Sequence, residues 1–348
     1  MINLATKYSG QIDKIYTHAS FVAGKSTGKF EFTGVAGVKI YSPQTVPMGD
    51  YVRSGKERYG TPAEMQDEVQ ELVVTQDKAF ALTIDKGNAS EQVGIKNAGA
   101  RLRQQMEEQV TPTQDKYALK QYIRNAGKVA GVSAPSKTTI FGLLSDASVE
   151  MDNALVPESG RYCFMGASAV GMLRQSDKIL YLEGVGTKAF EKGVIGECAG
   201  FKIVKVPDSY LPANAYFLCF HAASVVNPHK ISDSKLHTDP PGISGHLMEG
   251  RFLYDAFVLA KKSGGVYAAV LSTFKQATPT ISVSGTTATI ASAGATSVKV
   301  TTDGSDPRYS STAETISTGG TVTVASGNTV KAVAYGIFTS DVATSTVA

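Results

Sequence analysis

The spacing of hydrophobic and polar positions changes several times along the chain. In residues 79–85 the larger apolar side chains Phe80, Leu82 and Ile84 fall on alternate positions, which predicts a strand. Residues 30–32, 35–41 and 71–75 also read as extended, so residues 30–86 are expected to form a long two-stranded arm. Its middle, residues 43–65, is rich in Pro, Gly and charge, with Tyr51, Arg53, Lys56, Arg58 and Tyr59 close together. An isolated ribbon of this kind is marginal in water, and the chain offers it no obvious cover, so a neighbouring subunit is the expected cover. Next, Ile95, Ala98, Leu102, Met106 and Val110 recur at three- and four-residue spacing, one apolar helix face. Asn88, three residues before Glu91, predicts the helix start. Thr111-Pro112-Thr113-Gln114 predicts a stop and a restart capped by Thr111, with the second helix ending at Gly127.

Residues 137–275 alternate the two patterns. Ile140, Leu143, Leu144, Ala147 and Met151 predict a helix, 161–165 a strand, 167–173 a short helix, and 201–206 and 216–221 strands. Residues 228–245 read as a polar loop, and 251–260 with 266–271 as a hairpin about Ser263-Gly264-Gly265. No βαβ repeat or glycine fingerprint appears, so the class is α+β. From Gln276 the composition shifts. Of the last 73 residues 28 are Ser or Thr and only 7 are charged, arranged in short β-branched runs between Gly, Asn and Asp turns. That predicts a small β-sandwich joined through Ala277-Thr278-Pro279.

Net charge is +3, too weak and dispersed to argue sequence-reading of nucleic acid. Residues 1–28 have few apolar anchors and read as an arm ordered only against neighbouring chains. No run approaches the ~18 apolar residues that span a bilayer, and the first residues lack the pattern of a signal peptide. Cys163, Cys198 and Cys219 have no metal spacing and read as buried thiols.

Catalytic templates fail one by one. Gly166-Ala-Ser168-Ala-Val170 lacks the second glycine of a nucleophile elbow. Gly184-Val-Gly186-Thr-Lys188 has the wrong spacing for a phosphate loop. His221, His229, His237 and His246 lie eight or nine residues apart, unlike a metal set. Asp303-Gly-Ser-Asp306 reads as a turn rather than a calcium loop. Asp67-Glu68 and Glu107-Glu108 read as solvated faces. No catalytic, cofactor-binding or metal-binding residue emerges, and the chain is not expected to be an enzyme.

Several stretches, taken together and in order, resemble major capsid proteins of tailed bacteriophages, which have the Johnson fold. They are Asn3-Leu-Ala with Lys7-Tyr-Ser, Tyr51-Val-Arg-Ser-Gly with Arg58-Tyr-Gly-Thr-Pro, and Gln76-Asp, Phe80 and Thr83-Ile-Asp-Lys-Gly-Asn88. Lys96-Asn-Ala-Gly99 and Asp115-Lys-Tyr117 complete the set. The resemblance covers roughly residues 1–275. It implies an N-terminal arm (1–28), an extended E-loop (29–87), spine helices of the peripheral domain (88–129), an axial domain (130–244) and returning peripheral-domain strands (245–275).

The last segment, 276–348, resembles a second family, the Fn3-like, immunoglobulin-type module at the C-termini of some chitobiases and hexosaminidases. The likeness rests on Thr301-Thr-Asp-Gly-Ser-Asp-Pro307, Val330-Lys-Ala-Val-Ala334 and Ser340-Asp-Val-Ala343.

The function so implied is self-assembly as hexamers and pentamers into an icosahedral shell around double-stranded DNA, formed in the host bacterial cytoplasm. The sandwich would be displayed outside, where it could touch cell-surface glycans weakly, and removing residues 277–348 should leave assembly intact. Partners would be the chain itself, a separate scaffolding protein, a portal and DNA bound without sequence preference; no cofactor and no membrane are implied. Arg53, Arg58, Tyr59, Asp67 and Glu68 are the expected interface residues. Lys56 and Asn227 match weakly the lysine and asparagine that cross-link some relatives, and no cross-link is expected. A nanocompartment shell of the same fold is the alternative. A carbohydrate-active enzyme fits poorly, since the chain has no Trp platform and no carboxylate pair set for glycoside chemistry.

Overall fold

The computed structural model describes residues 17–347 except positions 31, 33–36, 47, 57, 63, 66, 87–97 and 177–196. The expected helix start at Asn88, the Gly184–Lys188 glycine stretch and the arm before residue 17 lie outside the described residues.

Strands β1 (Gly37–Pro43) and β2 (Asp67–Val73) form an antiparallel hairpin, followed by β3 (Gln76–Asp85). Helix α1 (Ala98–Gln105) runs through a π-helical turn (Met106–Val110) into α2 (Thr111–Arg124). Then come β4 (Lys128–Val132), α3 (Ile140–Asn153), β5 (Arg161–Gly166) and α4 (Ala167–Arg174). Strands β6 (Glu197–Cys198), β7 (Phe201–Val206), β8 (Ala215–His221) and β9 (Val225–Val226) lead to two long strands, β10 (His229–Thr238) and β11 (Gly245–Tyr254). Strands β12 (Phe257–Val258) and β13 (Val266–Leu271) end the body.

The centre is a mixed six-stranded sheet in the order β4-β13-β8-β5-β7-β6. Its inner strands β5, β8 and β13 are buried on both faces, so they read as nearly unbroken apolar runs rather than alternating ones. Along β8, Phe217 and Cys219 face α3 and α4, where Leu144, Met151 and Leu173 meet them. Leu218 and Phe220 face α2, against Leu119, Tyr122 and Ile123. The period-two alternation of a strand thus sorts neighbouring apolar residues into two cores.

A second sheet, β10-β11-β3, is antiparallel throughout. Here the expected two-stranded arm needs correction: β3 pairs with β11, not with the first half of the arm. Phe80 stacks on Phe252 with centroids 6.1 Å apart, and Gly250 opposite Phe80 leaves the room that the ring fills. The expected polar loop 228–245 is largely strand β10. It was hidden because an edge strand exposed on both faces carries the same polar residues as a loop. Its turn is the Pro240-Pro241-Gly242 segment, closed by Asp239, whose backbone N–H donates to the Gly245 carbonyl at 2.7 Å. The expected 251–260/266–271 hairpin does not exist. Strand β13 instead pairs with β8 and β4 inside the central sheet. Residues 245–275 therefore supply three different sheets rather than one set of strands.

The expected stop and restart at Thr111 is also absent. Gln105, Val110 and Thr111 all keep right-handed helical angles, and the Thr111 N–H donates to the Met106 carbonyl five residues back. Pro112 has no N–H to give the fourth carbonyl behind it, and its ring would press on that carbonyl in a regular helix. The wider π turn absorbs the proline and the helix continues. Residues 17–27 are not a free arm either. Val22 is fully buried in the core under α2, Phe21 meets Tyr210 edge-on, and Thr27 N–H donates to the Val225 carbonyl. Buried Asp115 of α2 takes a 2.6 Å bond from the Ser20 hydroxyl and a 2.7 Å bond from the Phe21 N–H.

The C-terminal part is a seven-stranded antiparallel sandwich. One sheet is β14 (Thr280–Ser284), β15 (Thr287–Ala291) and β18 (Gly320–Thr323). The other has the order β17-β16-β19-β20, with β16 (Ser297–Thr301), β17 (Glu314–Ile316), β19 (Thr329–Tyr335) and β20 (Ala343–Thr346). Ala288, Ile290, Val298, Val300, Val330 and Ala332 fill its own core. Its strands β17 and β20 have no sequence signal comparable to the other five.

Candidate assembly surface

The β1–β2 hairpin has two unlike ends. At its root, Leu72 is 1% exposed and packs with Phe32, Val226 and Leu259. Gln70, also on the inward side of β2, donates through Nε2 to the Val258 carbonyl and accepts the Ala260 N–H through Oε1, both at 2.9 Å. One amide thus satisfies two backbone groups across the junction. Glu68 pairs with Lys261 at 2.8 Å and is largely covered, which corrects the expectation of a solvated carboxylate free for a neighbour.

Just beyond the hairpin, Asp255 is 4% exposed and accepts four hydrogen bonds at 2.8–2.9 Å. They come from the Thr75 N–H and hydroxyl, the Tyr117 hydroxyl and the Ala256 N–H. It ties the hairpin's exit, α2 and the end of β11 to one carboxylate. The burial and this acid beside it push the Tyr117 phenol up to about 12, so it stays a donor at neutral pH. Neither Gln70 nor Asp255 was singled out from the sequence; the only signal was a polar residue at an inward strand position or at the end of an apolar run.

The tip is the reverse. Met48 is 100% exposed and Tyr59 92%, with Val46, Tyr51, Val52 and Met65 also open to solvent. The loop keeps a shape of its own: Val52 N–H donates to the Arg58 carbonyl, Arg58 Nε to the Gly55 carbonyl, and Tyr51 meets Tyr59 edge-on at 5.1 Å. Of the sequence-derived interface residues, Arg53, Arg58 and Tyr59 sit at this tip with Lys56. Asp67 lies at the outer end of β2, and Asn227 lies in the body between β9 and β10. These exposed apolar residues at the end of a rooted ribbon make the tip the candidate assembly surface.

The other motifs resolve into structure. Ser168 is the second residue of α4, and both its N–H and its hydroxyl donate to the Asp208 carboxylate, with no histidine in the arrangement. Asp303 accepts from the Ser305 N–H and hydroxyl, which makes the Asp-Gly-Ser-Asp stretch a turn. His237 lies 3.4 Å from Glu249 across β10–β11, and His221 bonds the Ser159 carbonyl and accepts from the Ala223 N–H. Among the described residues no three metal-ligating side chains gather, and no helix is long and apolar enough to cross a membrane.

No protein-family model and no curated protein sequence matches the chain. Solved structures do. A chain of Mycobacterium phage Che8 superposes with a TM-score of 0.65 at 18% identity, covering 76% of this chain and 96% of that one. A chain from the capsid of cyanophage P-SCSP1u gives 0.64 at 14%, covering 77% and 92%. The body has the fold of phage capsid proteins. A chain of the bacteriophage PhiM1 mature capsid gives 0.61 at 16% identity, covering 78% and 92%. This is the Johnson fold expected from the sequence. These capsid-fold chains are matched over nearly their whole length yet leave about a quarter of this chain over, close to the share taken by its C-terminal sandwich.

Proposed function

We propose that the chain is a major capsid protein of a tailed bacteriophage. It assembles through hexamers and pentamers into an icosahedral shell around double-stranded DNA, and it performs no catalysis. In this reading the β1–β2 hairpin is the E-loop, α1–α2 form the spine, and the central sheet with α3 and α4 is the axial domain. The observation that carries it is the contrast within the hairpin, buried and bonded at the root and bare at the tip. Fully burying a Met or Tyr of the tip against a neighbour is worth roughly 1.5–3 kcal/mol each. Repeated around a ring of subunits, modest contacts close a shell. A separate scaffolding protein, a portal and phosphate-only contacts with DNA complete the set of partners, and the shell is the chain's place in the virion. We read the sandwich as an immunoglobulin-type module carried by each subunit.

Electron microscopy of the purified chain, alone and with a co-expressed scaffolding protein, tests the proposal. Rings, tubes or shells are the expected particles. A protein that stays monomeric under both conditions would sink it.

A further inference from the structure

The sequence presents residues 276–348 as a tethered appendage. The hydrogen bonds say otherwise. Helix α2 ends at Arg124, and the carbonyls of residues 124, 125, 126 and 127 all accept from the sandwich. Thr339 Oγ1 donates to Arg124 O at 2.6 Å, and the Tyr309 hydroxyl donates to Asn125 O at 2.7 Å. Arg308 Nη1 donates to both Ala126 O and Gly127 O, at 2.7 and 2.8 Å. The first two are carbonyls that a helix terminus leaves unsatisfied, and the other two belong to the turn just after it, at the end where a cation is favoured. The Arg308 side chain is 8% exposed, and its other edge is held by Asp306 of the Asp-Gly-Ser-Asp-Pro turn, through Nε and a 2.6 Å bond from Nη2. Phe338 and Tyr309 enter the body's own core beside α2. Arg124 lies over the Tyr335 ring, and Asp341 meets Lys275 at 2.5 Å and Lys128 at 3.8 Å.

We propose that the sandwich is a fixed brace, docked through the Asp306–Arg308–Tyr309 turn on the C-terminal end of α2, and that Arg308 is the residue that locks it there. A guanidinium suits this place because one fork grips the carboxylate while the other spans two carbonyls, which an ammonium cannot do. Docking needs no neighbour and no shell, so it is testable on the unassembled full chain.

Limited proteolysis between residues 275 and 280, read with hydrogen exchange, is the experiment. Arg308→Ala should speed cleavage there by about ten- to a hundredfold, the range for losing a charged hydrogen bond. Arg308→Lys should restore little of the resistance. The amides of β16 and β19 should stay protected in both, showing a folded sandwich that has come off. Tyr309→Phe, which deletes one hydroxyl and keeps the ring, should speed cleavage by a smaller factor, and it decides the matter if Arg308→Ala unfolds the sandwich itself. Wild-type resistance in Arg308→Ala with a folded sandwich would overturn the brace, as would wild-type resistance in Tyr309→Phe if Arg308→Ala unfolds it.

Discussion

Two parts extend from the central sheet and its helices, the β1–β2 hairpin and the C-terminal sandwich, and they solve the problem of cover in opposite ways. The sandwich has its own core and bonds four carbonyls of the body, three through the Asp306–Tyr309 turn and one through Thr339. The hairpin is bonded to the body at its root, yet ends in Met48, Tyr51 and Tyr59, all exposed to solvent. A short apolar run in a sequence does not say whether its cover comes from the same chain. The difference shows only when each polar and apolar group is followed to its partner.

The largest effect on the subunit's own stability is expected where the hairpin's exit meets the body. Asp255→Ala would leave the Thr75 and Ala256 N–H groups and the Tyr117 hydroxyl without an acceptor. Each buried unsatisfied donor costs roughly 1–3 kcal/mol, so the soluble chain should lose several kcal/mol, or fail to fold, in chemical denaturation. Gln70→Leu comes next. It keeps the volume but orphans Val258 O and Ala260 N, and about 1–3 kcal/mol should go. If Gln70→Leu were neutral, the root would not be the anchored half of the hairpin. At the tip the order reverses: replacing Met48, Tyr51 and Tyr59 together by Ser should change the subunit's unfolding free energy by no more than about 0.5 kcal/mol per site.

The smallest effect concerns the sandwich contact. The Lys299 ammonium is held below its ordinary pKa by burial and, second, by the nearby Arg124 guanidinium, both of them over the Tyr335 ring. The folded state therefore binds this proton less readily than the unfolded chain. Stability should rise as pH climbs from the folded pKa towards 10.5. Lys299→Met should flatten that slope, with a change under about 1 kcal/mol at neutral pH. An unchanged slope in the variant would remove Lys299 from the contact.

Much of the fold was legible because it rests on side-chain periodicity. Strands β5, β7, β8 and β13 and helices α3 and α4 stand close to where their apolar patterns put them. Five of the seven sandwich strands do too. Strand β10 was not legible, since pairing at a polar edge uses backbone groups that every residue carries. Thr111-Pro112 was misread as a break because its signal is local, whereas the π turn that accommodates it depends on the whole helix being held down. Removing residues 277–348 reads from the sequence as harmless. The bonds to residues 124–127 make that removal the loss of a supporting surface, including cover for Ala126 and its neighbours. Of the candidate assembly surface, the aromatic and basic residues of the tip were visible, while Gln70 and Asp255, which bond the hairpin's root and exit to the body, were not.

Assembly of the Met48/Tyr51/Tyr59→Ser variant is the most direct measurement of the central claim, that the hairpin tip is completed by another copy of the chain. Its thermal midpoint and its particle yield by sedimentation would be taken side by side with the wild type. The account expects a midpoint within a few degrees of the wild type's and the loss of shells. Shells formed at wild-type yield by a variant with that tip removed would contradict it.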